Sequence, residues 1–390
     1  MSTDAHTPTA STSSAPSRSK GKSKASAAAS SSTPPLGKFL ASSEKHVRDK
    51  AVASLSRFLS AGRISKPAPG KKGQEAEQEH KEDEELPVGD LNWDEETEVD
   101  ARLAPAEMAK LWKGIFFCFW MSDKPLVQQA LADDLANLTL DVRPKSKTRN
   151  GRVERFRAAL CYLKGFWEAV TREWAGLDRL RLDKFYLLVR RFVHVAMRLL
   201  QREGWDERAI AEYNAVLTGP AGPLHVTDVK IPHSLAYHLS DIFVDEIERL
   251  ASSTLSASAD SAFPAERSFP LNSLLAPFRS TLAICPTTTM FSRITTEVFT
   301  PLLDAMLPAP VQPPSKRRKG APAPKRPEYP GILALAVEAE GAGEGDEAAG
   351  EEIGKQVLKR LFEEGGKAET SDVNRRRIYA FVSERDVDLD

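Results

Sequence analysis

From Lys110 to Leu138 the chain reads KLWKGIFFCFWMSDKPLVQQALADDLANL, an aromatic apolar segment followed, after a short polar turn, by an amphipathic one. Leu111, Trp112, Ile115, Phe116, Phe117, Phe119 and Trp120 cover every face of a helix, so other elements must enclose it. The run stops at Ser122-Asp123-Lys124-Pro125, where Ser122 or Asp123 is placed to cap the next helix and Pro125 suits its first turn. Val127, Leu131, Leu135 and Leu138 then recur at helical spacing. The pair predicts an antiparallel helical hairpin at the centre of an α-helical core.

The same periodicity extends along most of the chain. Leu40, Val47, Ala51, Leu55, Phe58 and Leu59 predict one helix over 36–60, stopped by Gly62. Phe156, Leu160, Leu163, Trp167, Val170 and Trp174 mark a long helix broken at Ala175-Gly176. Leu182, Phe185, Val189, Phe192, Ala196 and Leu199 mark another, ending near Gly204. A shorter helix over 205–217 leads into a loop, with room for a brief extended stretch, that closes at Pro232. Leu235, Leu239, Ile242, Ile247 and Leu250 give the next helix, and two shorter ones follow over 271–283 and 290–307. Two last helices, over 353–364 and 372–384, carry apolar stripes (Leu358 and Leu361; Ile378 and Val382) that predict a return to the core. Consecutive amphipathic helices without strand alternation predict an all-α fold, an irregular array of antiparallel helical hairpins of the HEAT or armadillo kind. No repeat of fixed period is visible.

Composition divides the 390 residues further. The Ser/Ala/Thr/Pro-rich stretch 1–35 is too poor in large apolar side chains to offset its ordering entropy and predicts a disordered tail. Residues 36–62 form a docking helix, 63–104 an acidic linker with Trp93 as its one sticky residue, and 105–307 the helical core. A Pro/basic and then Gly/acidic linker spans 308–350, and 351–386 hold the C-terminal helices. The net charge of -1 conceals segregation. Acids dominate from Glu75 to Asp100, whereas Lys and Arg outnumber Asp and Glu by more than two to one from Arg143 to Arg202. Such asymmetry suits contact with a polyanion. Without a secretory signal or a membrane-length apolar run, the sequence predicts an intracellular protein with no membrane association.

Enzyme chemistry finds little support. There is no G-x-S-x-G, Walker loop or G-x-G-x-x-G. Cys118, Cys161 and Cys285 are far apart in the sequence and read as reduced structural residues. His225, His233 and His238 lack the i, i+4 spacing of a helical zinc pair, and His194 reads as structural. Asp133 and Asp134, the acids a magnesium nuclease would use, point in different directions on a helix. No metal, cofactor or small-molecule substrate is predicted.

The basic residues carry the remaining candidates. Arg143, Lys145, Lys147, Arg149, Arg152 and Arg155 form a loop and helix start suited to phosphate contact, or else an ordinary solvated loop. Arg179, Arg181 and Lys184, with Asp178 and Asp183, read either as a helix cap with salt-bridged packing or as a contact for RNA or an assembly partner. Lys316-Arg317-Arg318-Lys319 suits the groove of a nuclear import receptor, or RNA. Trp112, Phe116, Trp120, Trp167, Trp174 and Phe185 have helical spacing and read as a core signature in preference to base-stacking platforms.

The tryptophan-rich run from Lys110 and REWAGLDRLRLDKFYLLVRRFV, from Arg172 to Val193, together resemble the nucleolar family of ribosomal RNA-processing protein one. The likeness extends from about Gly37 to Glu384, interrupted by linkers. It implies a nuclear, nucleolar assembly factor of the large ribosomal subunit precursor that binds pre-ribosomal RNA and other particle proteins. With the residues, it predicts a non-enzymatic scaffold supporting ribosomal RNA processing. A general helical-repeat adaptor, its basic face meeting acidic protein, is the alternative.

Overall fold

Fourteen α-helical segments make up the computed structural model, which describes residues 36–61, 103–145, 151–257, 269–307, 329–339 and 347–385. The expected tail 1–35, the acidic linker with Trp93 and the basic run 316–319 lie outside the described residues. Helices α1 (Leu36–Leu40), α2 (Lys45–Ala61), α3 (Pro105–Trp120), α4 (Pro125–Asp141), α5 (Arg152–Glu173), α6 (Arg179–Arg202), α7 (Glu207–Thr218) and α8 (His233–Ala257) come first. Then follow α9 (Leu271–Ile284), α10 (Thr288–Ile294), α11 (Thr300–Met306), α12 (Pro330–Ala339), α13 (Glu347–Gly366) and α14 (Asp372–Ser383). No strand occurs among the described residues, which is the all-α result the periodicity predicts.

The helices alternate between two layers. One layer packs α1 on α3, α3 on α5, α5 on α7 and α7 on α9; the other packs α2 on α4, α4 on α6, α6 on α8 and α8 on α10. Direction within a layer follows from the polar pairs. Asp133 meets Arg191, Asn137 meets Arg198, and the Leu140 carbonyl accepts from Arg202, so α4 and α6 advance together. Tyr186 with His238 and Gln201 with Thr254 show that α6 and α8 also run parallel. Parallel neighbours within each layer are what stacked helical hairpins produce.

Aromatic residues of α3, α5 and α6 join the layers. Phe166 and Phe192 stack face to face with ring centroids 3.8 Å apart, and Trp112 lies 4.7 Å from Tyr162 and 5.6 Å from both Phe166 and Phe192. Phe185 stacks on Phe116 at 4.7 Å and meets Phe119 edge-on. Gly165 permits this approach, because a Cβ there would lie 2.4 Å from Cδ1 of Trp112. Of the sequence signature, Trp112, Phe116, Trp167, Trp174 and Phe185 are buried, while Trp120 is half-exposed.

Several elements differ from the sequence expectation. The single helix over 36–60 is two, because Ser42 Oγ accepts from the Glu44 backbone N–H and the Arg48 guanidinium donates to the Ser42 and Ser43 carbonyls. Neither Ser122 nor Asp123 caps α4; Lys124 is its N-cap residue, Pro125 opens the helix, and Ser122 Oγ donates back to the Cys118 carbonyl. The helix expected over 290–307 is interrupted by a π-helical turn at Thr295–Phe299, which ends two residues before Pro301, a residue with no N–H for the regular ladder. Within the segment read as a linker, α12 packs on α8 and α13. Its first turn is held from afar: Gly331 and Ile332 N–H groups donate to the two carboxylate oxygens of Glu248, each at 2.9 Å. Helix α14 packs on α9, where Asn374 Nδ2 donates to the Cys285 carbonyl at 2.9 Å.

Candidate nucleic-acid interface

The positive excess of the middle segment is largely used to bind helices to one another. Arg152 donates from Nε to Glu203 Oε2 at 2.8 Å and from Nη2 to the Arg202 carbonyl, while Arg202 Nε donates to the other Glu203 oxygen at 2.9 Å. Glu203 is 1% exposed, so the carboxylate is an internal clamp between the start of α5 and the end of α6. On α6, Arg190 pairs with Glu246 and Asp245, Arg191 lies 2.8 Å from Asp133, and Arg198 donates to Asn137. Burial would raise the Glu246 carboxyl pKa, but hydrogen bonds from His194 and Arg190 and their charges hold it below the ordinary carboxylate range.

Arg179, Arg181 and Lys184 have three different environments. Asp178 caps α6 by accepting from the Arg181 backbone N–H at 3.1 Å and also pairs with the Arg181 guanidinium, which lies over the Trp120 ring, 3.9 Å from its centroid. Lys184 is buried, and its Nζ donates to the carbonyls of Trp120 at 2.6 Å and Ser122 at 2.8 Å. Burial, partly offset by the Asp123 carboxylate, lowers its pKa to about 8. That ammonium closes the end of α3 and is turned away from solvent. Arg179 is exposed. We therefore expect Lys184→Met to cost about 2 kcal/mol, because it strips a charged donor from two carbonyls. Arg179→Glu should stay within about 0.5 kcal/mol of wild type. Thermal unfolding of the two variants checks the contrast; equal melting temperatures would contradict it.

Of the loop candidates, Lys145 is exposed, and Arg143 is half-buried with its backbone N–H donating to the Leu59 carbonyl at 3.0 Å. Arg155 is half-buried on α5. Lys147 and Arg149 lie outside the described residues. The remaining candidate chemistry is likewise tied into the fold. His238 hydrogen-bonds the Tyr186 carbonyl, His225 the Thr218 carbonyl, and His194 Nδ1 lies 3.0 Å from Glu246. Among the described residues no group of three or more His, Cys, Asp or Glu is placed to hold a metal, and none of their helices is long and apolar enough to cross a membrane. Sequence reasoning missed the acids that receive these arginines. Glu203 and Glu246 lie some fifty residues from their partners, and no local spacing signals such a pairing.

Comparison with known proteins identifies the kind of array this is. Residues 31–379 match the family described as nucleolar protein, Nop52. The chain belongs to that family. This Nop52 chain is therefore a nucleolar protein of the nucleus, in line with its two tryptophan-rich segments. It is 29% identical over 224 residues to human "Ribosomal RNA processing protein 1 homolog B", covering 57% of this chain and 23% of the relative. It is 34% identical over 159 residues to mouse "Ribosomal RNA processing protein 1 homolog A", covering 41% and 29%. Against the Drosophila melanogaster homolog the identity is 28% over 157 residues, 40% of this chain and 21% of the relative. The matches thus span under a third of the length of these curated relatives.

Proposed function

We propose that this Nop52-family chain is a non-enzymatic scaffold in ribosome biogenesis, bound to precursors of the large subunit and supporting ribosomal RNA processing. The observation that carries the reading is the extent of the family match, residues 31–379, whose relatives are named for ribosomal RNA processing. The use of buried charge supports it. Glu203, Glu246, His194 and His238 are engaged across helices, which favours a rigid support over a catalyst. In this mechanism the stacked helices fix the relative positions of other assembly factors and of folded RNA, and separate nucleases make the cuts.

RNA contact is assigned to Lys145, Lys147 and Arg149, which follow α4 in the sequence; Arg179, at the opposite end of α6, is a separate exposed cation. Lysines and arginines on a loop reach phosphates without reading sequence, so the contact is salt-dependent. Arg152 supports this end of the array through Glu203, whereas Arg181 and Lys184 hold the opposite end, where α3 meets the start of α6. Lys316-Arg317-Arg318-Lys319 is assigned to a nuclear import receptor; normal nuclear entry after their deletion would remove that assignment.

Crosslinking the chain to RNA in cells and sequencing the attached fragments tests the reading. Ribosomal precursor sequences should be enriched, and the triple variant Lys145→Glu/Lys147→Glu/Arg149→Glu should lose most of that enrichment without a change in melting temperature. The log–log salt slope of binding to precursor RNA should fall by about 2 to 3, for three lost phosphate contacts. Absence of ribosomal enrichment in the wild type would favour a general protein adaptor.

A further inference from the structure

We propose that residues 82–96 of this chain, EDEELPVGDLNWDEE, dock along the edge of the array formed by the turns that open α4, α6, α8 and α10. The proposal is independent of the scaffold reading above and concerns what covers that edge. Helices of this layer run parallel, so their starts share one edge. Lys184 of α6 reaches the Ser122 carbonyl just before α4, Trp174 just before α6 donates to Ser234 of α8, and Asp241 of α8 receives both arms of Arg293 of α10. Each of these turns leaves one aliphatic side chain in solvent: Leu126 is 79% exposed, Leu180 92%, Val229 96% and Ile284 39%. The turn between α6 and α7, at the opposite edge, instead buries its large apolar residue, Trp205. Single exposed leucines need no explanation, but a row of them at successive turns forms one continuous apolar feature.

The free charge beside the row has one sign. Lys124, Arg179 and Lys230 stand beside Leu126, Leu180 and Val229, are exposed, and have no ion partner among the described residues. The acids of the same turns are engaged. Asp178 pairs with Arg181, Asp123 lies 3.9 Å from the buried Lys184, and Asp228 accepts from the Lys230 backbone N–H at 2.9 Å. The edge therefore suits an occupant that is acidic and also carries apolar side chains. Residues 82–96 meet both conditions, with Leu86, Val88, Leu91 and Trp93 set among eight carboxylates and no Lys or Arg. Arg63, Lys66, Lys71 and Lys72, which follow α2, are repelled by the same cations. RNA would meet the cations but leave the aliphatic row uncovered.

Length and attachment permit the docking. Residues 62–102 connect α2 to α3, and both attachments lie at the opposite edge, where the Leu59 carbonyl of α2 accepts from Arg143 just after α4. The 16 residues of α3 span about 24 Å, whereas the stretch from Trp93 to Leu103 reaches about 33 Å when extended. Trp93 therefore reaches the turn between α3 and α4. Neighbouring helices of a layer lie about 10 Å apart, so the row from Leu126 to Ile284 is about 30 Å long. Residues 82–93 extend to about 40 Å and cover it, with Trp93 toward Leu126 and Leu86 toward Val229.

Photocrosslinking in the purified, RNA-free full-length chain tests the docking. One probe replaces exposed Ala175 in the turn before α6, a second replaces Thr227 beside Val229, and a third replaces Lys145 on the opposite edge. An undocked tether would label Lys145 most, because both its attachments are on that side. Docking predicts products within one chain that join Ala175 and Thr227 to residues 82–96, at about tenfold the yield from Lys145. Arg179→Glu/Lys230→Glu and Trp93→Ala should each lower the yield at Ala175 about tenfold, with helical content by circular dichroism unchanged. Equal or greater labelling from Lys145, products that map to residues 63–72, or no product at Ala175 and Thr227 would overturn the proposal. So would products found only between isotopically light and heavy copies of the chain, which would mean a second copy on the edge. Preferential crosslinking of added precursor RNA at Ala175, with residues 82–96 unlabelled, would assign the edge to RNA and overturn it as well.

Discussion

Trp112→Ala is expected to lower stability by about 3–5 kcal/mol, the range for removing a fully packed large aromatic side chain. Trp112 is 2% exposed and is the point where α3, α5 and α6 meet. Its indole fills the space left by Gly165, and it contacts the rings of Tyr162, Phe166 and Phe192, so alanine would leave a cavity shared by three helices that cannot all move inward. Its Nε1 finds no acceptor among the described residues, so Trp112→Phe loses volume but no hydrogen bond within the described fold and should cost less than half as much. For a domain of this size the alanine variant should melt about 10 °C lower. Calorimetry of both variants checks the order; a Trp112→Ala protein that melts like wild type would mean that these three helices do not share one core.

Glu246→Gln is the second large effect, at about 3 kcal/mol. The carboxylate is fully buried on α8 and meets Arg190, His194 and Arg249. Glutamine keeps the shape but removes the charge and turns an N–H₂ group toward donors. The value lies at the low end for broken buried pairs because Arg190 and Arg249 are 38% and 53% exposed and can turn to water. The pH dependence has a definite sign. A carboxyl held in the folded chain below its ordinary value of 4.5 stabilises the fold above that pH, and the stabilisation is lost as pH falls through the folded value. Wild type should therefore lose stability on acidification more steeply than Glu246→Gln, and unfolding curves of equal acid slope would contradict the pairing.

Periodicity made α3 to α6 and α8 legible because each has a continuous apolar stripe. The same signal ran through the break at Ser42-Ser43, where spacing of apolar residues is preserved but backbone hydrogen bonding is not. It missed α12, whose run GILALAVEA is short and whose cap, Glu248, lies 83 residues before Gly331. The functional residues divide in the same way. Asp178 was legible as a cap because its partner is three residues away. Arg152 and Lys184 looked like surface cations, yet their acceptors come from distant helices, Glu203 in one case and the carbonyls of Trp120 and Ser122 in the other. Charge excess along a sequence therefore overstated the positive surface, and only the folded pairing separates Arg179 and Lys145 from the cations that join helices.

The most direct test of the scaffold account is sedimentation of the tagged full-length chain from nuclear extract at about 150 mM salt, with the RNA of each fraction sequenced. The account predicts that the chain travels with large particles containing large-subunit precursor RNA and that such particles decline when it is depleted. A chain that stays at the top of the gradient as free protein, while those particles remain intact, would contradict it.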